Sequence, residues 1–442
     1  MFKYVMYFQY FMTYLLLGGG IAALSLAYFL KEDSIILEKD EKIGGLCRSY
    51  DFKGITHDVG PHILFSKNKE ILALHSSFIK TNKIKRSNSI YFKGKFVKYP
   101  FENDLAALPE ADRDYCLQEF LHNPYENYEA KNMLQFFLKT FGEGITRSYL
   151  QPYNEKIWKF DSSCMDTQMV GRIPKPPKED VIKSAEGVET EGYKHQLHFE
   201  YPTTGGFQSL VDAYADRIKD KSKIMNPVNI TSMKREGKEW VVESDKGQFK
   251  SEKMINCMPL HELFAYLDAP AEITTALDNM LYISIYVVLI RATKDTIGEK
   301  LAIYIADKDV IFHRLSKLNF LGDEYCAPDG KSTFLAEITY RPGSYLSTLP
   351  VEEIKEKVID GLDNCNFVKR EDVEDIEVNS FKYAYVIYDL DHRKNTDKVL
   401  EYLRSIGIES NGRFAEFEYM NSDHVAEHSQ ALAKKLEGGS NE

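Results

Sequence analysis

Residues 13–38 read TYLLLGGGIAALSLAYFLKEDSIILE, and this stretch decides the fold. The apolar run Thr13–Leu17 predicts a buried strand of a parallel sheet, Ile21–Leu30 predicts a helix, and Ser34–Glu38 predicts a second strand. A G-x-G-x-x-A turn joins the first strand to the helix through Gly18, Gly20 and Ala23. The glycines allow a tight turn and a close approach to a pyrophosphate, and the small third residue lets helix and strand pack. The sequence therefore predicts a dinucleotide-binding unit.

The residues after the second strand indicate which dinucleotide binds. Glu38 ends that strand 20 residues after Gly18, where a carboxylate accepts hydrogen bonds from ribose hydroxyls. The pyrophosphate is expected at the helix N-terminus, where unpaired N–H groups favour anions. Residues 42–48, KIGGLCR, resemble the second glycine motif of FAD proteins of the amine oxidase and glutathione-reductase-like group. We therefore expect FAD, with Gly44, Gly45 and Leu46 among its contacts.

Composition limits the remaining classes of function. A chain of 442 residues predicts two or three packed units. The net charge of −11 argues against an extended nucleic-acid surface. The six cysteines are scattered, which favours reduced cysteines in a cytoplasmic protein over a disulfide framework or a metal site.

The first 17 residues, MFKYVMYFQYFMTYLLL, are apolar enough to suggest a membrane anchor or a signal peptide. Both are rejected, because no small-residue cleavage site follows and the run continues directly into Gly18. We expect no membrane insertion. Residues 1–11 are interpreted as a dispensable extension or a start-site artefact ahead of Met12.

Periodicity predicts further elements along the chain. A helix is predicted from Asn68 to about Ile84, and residues 105–150 have helical periodicity. Residues 173–190, rich in proline and charge, are predicted to form a surface loop. Several β-rich runs within residues 282–340 predict an antiparallel sheet.

A set of short segments, in order from residue 13 to about 436, resembles UDP-galactopyranose mutases, nearest the eukaryotic-type branch. The segments are DVGPHILFS at 58–66, YPF at 99–101, PYNEKIW at 152–158, the pair Gly171-Arg172, YPTTGG at 201–206, Tyr304 and Arg314 ten residues apart, GRF at 412–414, Tyr419, and NSDH at 421–424. The ordered set, more than any one motif, carries the resemblance.

We therefore expect an α/β fold of three parts. A discontinuous Rossmann-like FAD domain is predicted from residues 12–66, 195–260 and 380–442. A mainly helical substrate domain is predicted from residues 67–194, and an antiparallel β-sheet domain from residues 261–379. The substrate is expected in the cleft between them, beside the flavin.

The resemblance implies an isomerase that interconverts UDP-galactopyranose and UDP-galactofuranose, or a related UDP-sugar. It implies covalent catalysis through an adduct between the sugar and N5 of the reduced flavin, with NAD(P)H as a candidate reductant. It also implies a cytoplasmic enzyme of cell-surface polysaccharide biosynthesis. The identity of the sugar and the oligomeric state stay open.

The resemblance also implies roles for individual residues. The catalytic residues are His62 beside the flavin and Arg172 and Arg314 on the diphosphate, where guanidinium forks suit developing charge. The residues implied to bind substrate are Asn154, Trp158, Tyr304, Tyr385 and Tyr419, and those implied to close the site over FAD are Arg413 and Asn421. The structural alternatives are core packing for the tyrosines, Trp158 and His62, surface positions for the arginines, and a helix end for Asn421.

One departure from the family pattern stands beside the predicted flavin. Pro61 replaces the glycine that the family usually has before the histidine, and proline fixes φ and removes an N–H. This departure keeps open a flavin-binding or scaffold protein without turnover. An amine-oxidase-like or desaturase-like oxidoreductase on the same scaffold is the other alternative.

Overall fold

The computed structural model describes residues 9–11, 13–173, 175–190 and 197–438, with the backbone alone at 9–11, 171 and 172. The strands in chain order are β1 Gln9–Phe11, β2 Tyr14–Leu17, β3 Ser34–Leu37, β4 Ser49–Phe52, β5 Ile55–Asp58, β6 Thr81–Lys85, β7 Asn88–Phe92, β8 Lys95–Lys98, β9 His198–Pro202, β10 Ser222–Met225, β11 Ile230–Glu236, β12 Glu239–Ser244, β13 Gly247–Ser251, β14 Lys253–Asn256, β15 Tyr282–Ala292, β16 Ala302–Ile305, β17 Arg314–Lys317, β18 Ser332–Tyr340, β19 Val373–Val386 and β20 Ile408–Ser410. The α-helices are α1 Ile21–Phe29, α2 Lys69–Phe78, α3 Glu110–Leu121, α4 Met133–Ile145, α5 Gln151–Trp158, α6 Lys178–Ala185, α7 Gln208–Ile218, α8 Leu260–Leu263, α9 Ala271–Asp278, α10 Val351–Asn364, α11 His392–Ser405 and α12 Ser422–Gly438.

A five-stranded parallel sheet carries the predicted dinucleotide unit. Its strand order is β10-β3-β2-β14-β20, and every neighbouring pair is parallel. All four residues of β2 and of β3 are buried, because helix α1 packs on one face of the sheet and strands β11–β13, with helices α9 and α11, pack on the other. Helix α1 packs into this core, and its Ser25 hydroxyl lies 2.8 Å from that of Ser429 on α12. The predicted strand, turn, helix and second strand are confirmed.

A seven-stranded sheet forms the second layer, in the order β19-β15-β18-β17-β16-β7-β8. Its neighbours are antiparallel except β16 and β7, which are parallel. The antiparallel-rich sheet confirms the predicted fold class. Its strands β7 and β8 lie within residues 67–194, and β19 runs through residue 380, so the sheet draws on all three predicted parts. The domain boundaries themselves stay a prediction.

Two local predictions are wrong. The helix predicted from Asn68 to about Ile84 ends at Phe78, and Thr81–Lys85 instead forms a strand paired antiparallel with β9. Pairing with a distant strand overrides the local helical pattern. The loop predicted at residues 173–190 contains helix α6, which begins after Pro177 and has Glu179 and Asp180 in its first turn. Acidic residues in a first turn complement the helix dipole, and the composition-based interpretation missed this signal.

The N-terminal segment adds a strand. Gln9–Phe11 pairs parallel with β13 at the edge of a four-stranded sheet. Whether residues 1–11 are dispensable stays a prediction, and residues 1–8 and Met12 lie outside the described residues. In the part of the chain that the structure describes, no helix has the length and apolarity needed to cross a bilayer.

Candidate active site

The glycine turn is shaped as the sequence predicts. Gly18 has φ +100°, and a Cβ there would lie 3.2 Å from the carbonyl of Cys257. Gly20 caps the N-terminus of α1, and a Cβ placed on it would meet nothing within 4 Å. Ala23, the small third residue, is fully buried. The turn therefore presents open space in front of a helix N-terminus, as a bound pyrophosphate requires.

Glu38 closes this turn. Its Oε2 accepts a hydrogen bond of 2.7 Å from Gly19 N, and its Oε1 accepts one of 2.8 Å from Asp40 N. The side chain is buried. The carboxylate is thus fixed at the strand end where a ribose is expected, and it has further lone pairs for hydroxyl groups.

The second glycine segment packs directly on the first. Gly44 N donates to Gly19 O at 2.8 Å, and Gly45 lies so close that its Cβ would be 3.4 Å from Gly20 Cα. Both Gly44 and Gly45 have positive φ, and Leu46 follows in a half-buried 3₁₀ turn. The two segments are separated in sequence by helix α1 and strand β3. In the structure they form one continuous backbone cradle.

A third glycine segment comes from the C-terminal part. Gly412 has φ +113°, and a Cβ on it would lie 2.6 Å from the Ala22 Cβ of α1. Gly412 N donates to Glu416 Oε1 at 2.9 Å. This close approach brings the next residue, Arg413, to the cradle.

The guanidinium of Arg413 has buried donor atoms without hydrogen-bond partners in the part of the chain that the structure describes. Its buried Nε and Nη2 have no hydrogen-bond partner among the described residues. Its guanidinium lies over the rings of Tyr419 and Tyr385, at 4.7 and 4.9 Å from their centroids. Burying an unpaired cation is costly, so this guanidinium fits a bound anionic group such as a dinucleotide. The predicted cofactor contact Asn421, in contrast, is exposed at the start of α12, where its carbonyl accepts from Val425 N at 3.0 Å.

Asp58 anchors the loop that carries His62, and sequence reasoning gave it no role of its own. Its carboxylate accepts hydrogen bonds from Ser49 Oγ at 2.5 Å, Tyr201 OH at 2.7 Å and Phe207 N at 3.0 Å. Burial raises the pKa of Asp58 to about 6 although these donors oppose the shift. The network ties this loop to the YPTTGG turn at residues 201–206.

His62 lies near two guanidinium groups. Burial, and then the charges of Arg413 and Arg314, lower the pKa of His62 to about 4, so its ring is neutral at pH 7. The ring packs against Phe207, with 5.2 Å between centroids, and its Nδ1 has no partner among the described residues. His62, Arg314 and Arg413 are therefore brought together although they are far apart in sequence.

Arg314 belongs to a row of polar side chains across three strands. Tyr304 on β16 pairs with Arg314 on β17, and Arg314 pairs with Glu337 on β18. Residues paired directly across strands share one face of a sheet. Glu337 receives hydrogen bonds from Arg314 Nε and, at 2.7 Å, from Nη2. Burial alone would lower the pKa of Arg314, but the ion pair with Glu337 raises it well above the usual value.

Glu337 is a site residue that the sequence reasoning missed. Its side chain is 1% exposed, whereas that of Arg314 is 23% exposed. It stands in STFLAEITY, a strand in which every other residue but the first is uncharged and buried. A lone acid in such a strand is the signal that could have identified it. Because Glu337 occupies two of the five N–H groups of Arg314, three remain for a ligand.

A cluster of aromatic side chains lies beside the row formed by Tyr304, Arg314 and Glu337. Tyr385 and Tyr419 stack at 5.8 Å, and Trp158 meets them edge-on at 5.8 and 6.2 Å. Trp158 Nε1 donates to Asn154 Oδ1 at 3.2 Å, and Asn154 Nδ2 donates to Leu150 O at 2.7 Å. The Asn154 amide thus orients the indole from within helix α5. Burial, with Glu337 next, raises the pKa of Tyr385, which keeps its hydroxyl protonated at pH 7.

The structure brings together most of the predicted site residues. His62, Arg314, Tyr385 and Arg413 interact electrostatically, while Tyr304 pairs with Arg314 in the sheet. The predicted Arg172 ends a 3₁₀ turn, Thr167–Arg172, but its side chain lies outside the described residues.

Comparisons with known proteins agree with this fold. Residues 17–78 match the family model of the NAD(P)-binding Rossmann-like domain. A crystal structure of reduced UDP-galactopyranose mutase superposes with a TM-score of 0.88 at 22% identity, covering 98% of this chain and 96% of that one. The chain has the fold of UDP-galactopyranose mutase.

Oxidases are also similar in structure. An Exiguobacterium sp. 255-15 protein, provisionally named a protoporphyrinogen oxidase, superposes with a TM-score of 0.75 at 17% identity, covering 97% of this chain and 99% of that one. Putrescine oxidase bound to putrescine gives a TM-score of 0.66 at 13% identity, over 97% and 100% of the two chains. At these identities the likeness concerns the fold, so the chemistry must be argued from the site.

A curated relative is similar to this chain over a short part of its sequence. An uncharacterised protein in the nifH2 3′ region of Methanothermococcus thermolithotrophicus is 42% identical over 60 residues, which are 13% of this chain. The chain spans 58% of the length of that relative.

Proposed function

We propose that this protein is an FAD-dependent mutase that interconverts the pyranose and furanose forms of a UDP-sugar, with UDP-galactose as the first substrate to test. The observation that carries the proposal is the row of Tyr304 and Arg314 on adjacent strands, beside His62 and the unpaired guanidinium of Arg413. A diphosphate is the ligand that suits guanidinium and phenol donors converging from different elements.

FAD is proposed as the cofactor because the cradle fits it. Gly20 leaves the helix N-terminus open for a pyrophosphate, Glu38 stands at the ribose position, and Arg413 offers a buried cation to the cofactor. When bound and reduced, the flavin would supply N5 as the nucleophile toward the anomeric carbon. The purified protein should carry a flavin absorption spectrum, and a preparation unable to bind FAD would contradict the cofactor assignment.

The chain's own side chains would hold the leaving group. Arg314 has three N–H groups free of Glu337, and these would neutralise the charge that develops on UDP. Tyr304, Tyr385 and Tyr419 would donate their hydroxyls to the same phosphate oxygens. Arg172 is proposed as the second arginine on the diphosphate. Neutral His62 would pack against the flavin without adding a competing cation.

The same charges disfavour an amine-oxidase reaction on this scaffold. A protonated amine substrate would meet Arg314 and Arg413, and like charges in a low-dielectric site repel strongly. The oxidoreductase alternative therefore rests on similarity of fold to the oxidases, and the polar groups of this site favour an anionic substrate.

The test measures interconversion of UDP-galactopyranose and UDP-galactofuranose by chromatography under anaerobic conditions. Protein reduced with dithionite or NAD(P)H is expected to turn over, and oxidised protein is not. Arg314→Ala should abolish turnover while FAD is retained. Arg291→Ala is the matched control, because Arg291 lies in the same sheet, is 20% exposed and is also ion-paired. Turnover by oxidised protein, or equal activity of both variants, would contradict the proposal.

A further inference from the structure

Asn88, at the start of β7, contacts the proposed phosphate donor Tyr304. Its Nδ2 lies 3.0 Å from the Tyr304 hydroxyl, to which it donates. Strand β7 runs parallel to β16 with Asn88 beside Ala302, so Asn88 and Tyr304 share the sheet face that also carries Arg314. The Tyr99 and Tyr153 rings flank the Tyr304 ring, at 5.1 and 5.7 Å between centroids.

The direction of this hydrogen bond decides what the phenol can do. A phenol has one proton to donate, and its oxygen also accepts. Because the Asn88 amide donates to that oxygen, the proton of Tyr304 is not used on Asn88, and it has no other acceptor among the described residues. The opposite amide orientation would use the phenol proton on Oδ1. In the orientation that the structure has, Nδ2 uses one of its two N–H groups on Tyr304, and the buried Oδ1 has no partner among the described residues.

We propose that Asn88 is a positioning residue that makes Tyr304 an obligate hydrogen-bond donor to the substrate. By donating to the phenol oxygen, it points the phenol proton toward the face on which Arg314 offers its free N–H groups. An anionic phosphate oxygen can only accept, so this arrangement selects for it. The inference rests on the proposed function, since it assumes that a UDP diphosphate lies over this row.

The test is a double-mutant cycle on the oxidised holoprotein, with UDP affinity measured by calorimetry. Asn88→Asp replaces the donor by an acceptor, so the carboxylate takes the Tyr304 proton and UDP loses a donor. The expected result is an increase in Kd for UDP of about tenfold to a hundredfold, similar to that of Tyr304→Phe. In the Tyr304→Phe background, Asn88→Asp should add much less than it does alone, because there is no phenol proton left to capture.

Two further measurements separate this role from a general disturbance. Asn88→Leu removes the donor without adding charge, so it should raise the Kd by a smaller factor, and again only while Tyr304 is present. Uridine, which has no phosphate, should bind to Asn88→Asp as it does to the unaltered protein. FAD content and the melting temperature show whether each variant is folded, and Asn88→Leu replaces Asn88→Asp if the latter is not.

The outcomes distinguish the two proposals. Additive effects of Asn88→Asp and Tyr304→Phe, or a Kd for UDP unchanged by both Asn88 variants, would overturn the role of Asn88 and leave the mutase proposal standing. Failure of the unaltered holoprotein to bind UDP would overturn the proposed function and this inference together.

Discussion

Breaking the ion pair between Arg314 and Glu337 should lower the free energy of unfolding by different amounts, depending on which partner is removed. Glu337→Leu leaves a guanidinium whose side chain is 23% exposed and can be partly hydrated, whereas Arg314→Leu leaves a carboxylate that is 1% exposed. Removing one partner of a buried pair costs about 3–5 kcal/mol, because the other charge stays buried. We expect about 3 kcal/mol for Glu337→Leu and about 5 kcal/mol for Arg314→Leu at pH 8.

The asymmetry should also depend on pH. A buried, unpaired carboxylate favours its neutral form, so the penalty of Arg314→Leu should shrink as the pH falls toward 5. A guanidinium stays charged throughout, so the penalty of Glu337→Leu should stay constant over the same range. The assay is urea unfolding of the apoprotein at pH 8 and pH 5. Equal penalties for the two variants, or a penalty below about 1 kcal/mol for both, would refute the ion-pair account.

Three further outcomes follow from the site. Gly412→Ala should lose FAD on purification, because its Cβ would lie 2.6 Å from that of Ala22. Gly298→Ala, which is also at a positive φ but has open space around it, should keep FAD. Equal retention of FAD by the two variants would contradict the role of this close approach. Arg413→Met should weaken FAD binding in a titration. In urea unfolding, the apoprotein of this variant should be as stable as the unaltered apoprotein or up to about 2 kcal/mol more stable, because the substitution removes an unpaired buried cation. A clear loss of apoprotein stability would count against an unpaired cation at Arg413. The pKa of His62 is lowered to about 4, so the contribution of the neutral ring to the free energy of unfolding is complete above pH 6.5 and is lost as the pH falls from 6.5 to 4. His62→Gln should therefore reduce the loss of unfolding free energy in acid by at most about 3 kcal/mol. An unchanged pH dependence of this free energy would show that His62 is not buried in a neutral form.

Local chemistry explains what could be predicted from sequence. The strand, glycine turn and helix of residues 13–38 depend on neighbours in the chain, so their pattern was sufficient. The segment around Gly412 was found through its family motif, and the structure adds the reason: it abuts α1. The strand at Thr81–Lys85 was missed because its partner, β9, lies more than 100 residues away.

The supporting residues of the site were not predictable in the same way. Glu337, Asp58 and Asn88 act on Arg314, the His62 loop and Tyr304 through contacts across strands and loops. Such contacts depend on sheet register, which no spacing along the chain specifies. Motifs indicated the groups that are proposed to face the ligand, whereas the residues that contact and orient these groups are visible only in the fold.

The most direct test is a crystal structure of the FAD-bound, reduced protein with UDP. We expect the flavin ring against His62 and the UDP diphosphate within hydrogen-bond distance of both Arg314 and the Tyr304 hydroxyl. A diphosphate bound elsewhere, with Arg314 held by Glu337 alone, would contradict the claim that this row of side chains binds the leaving group.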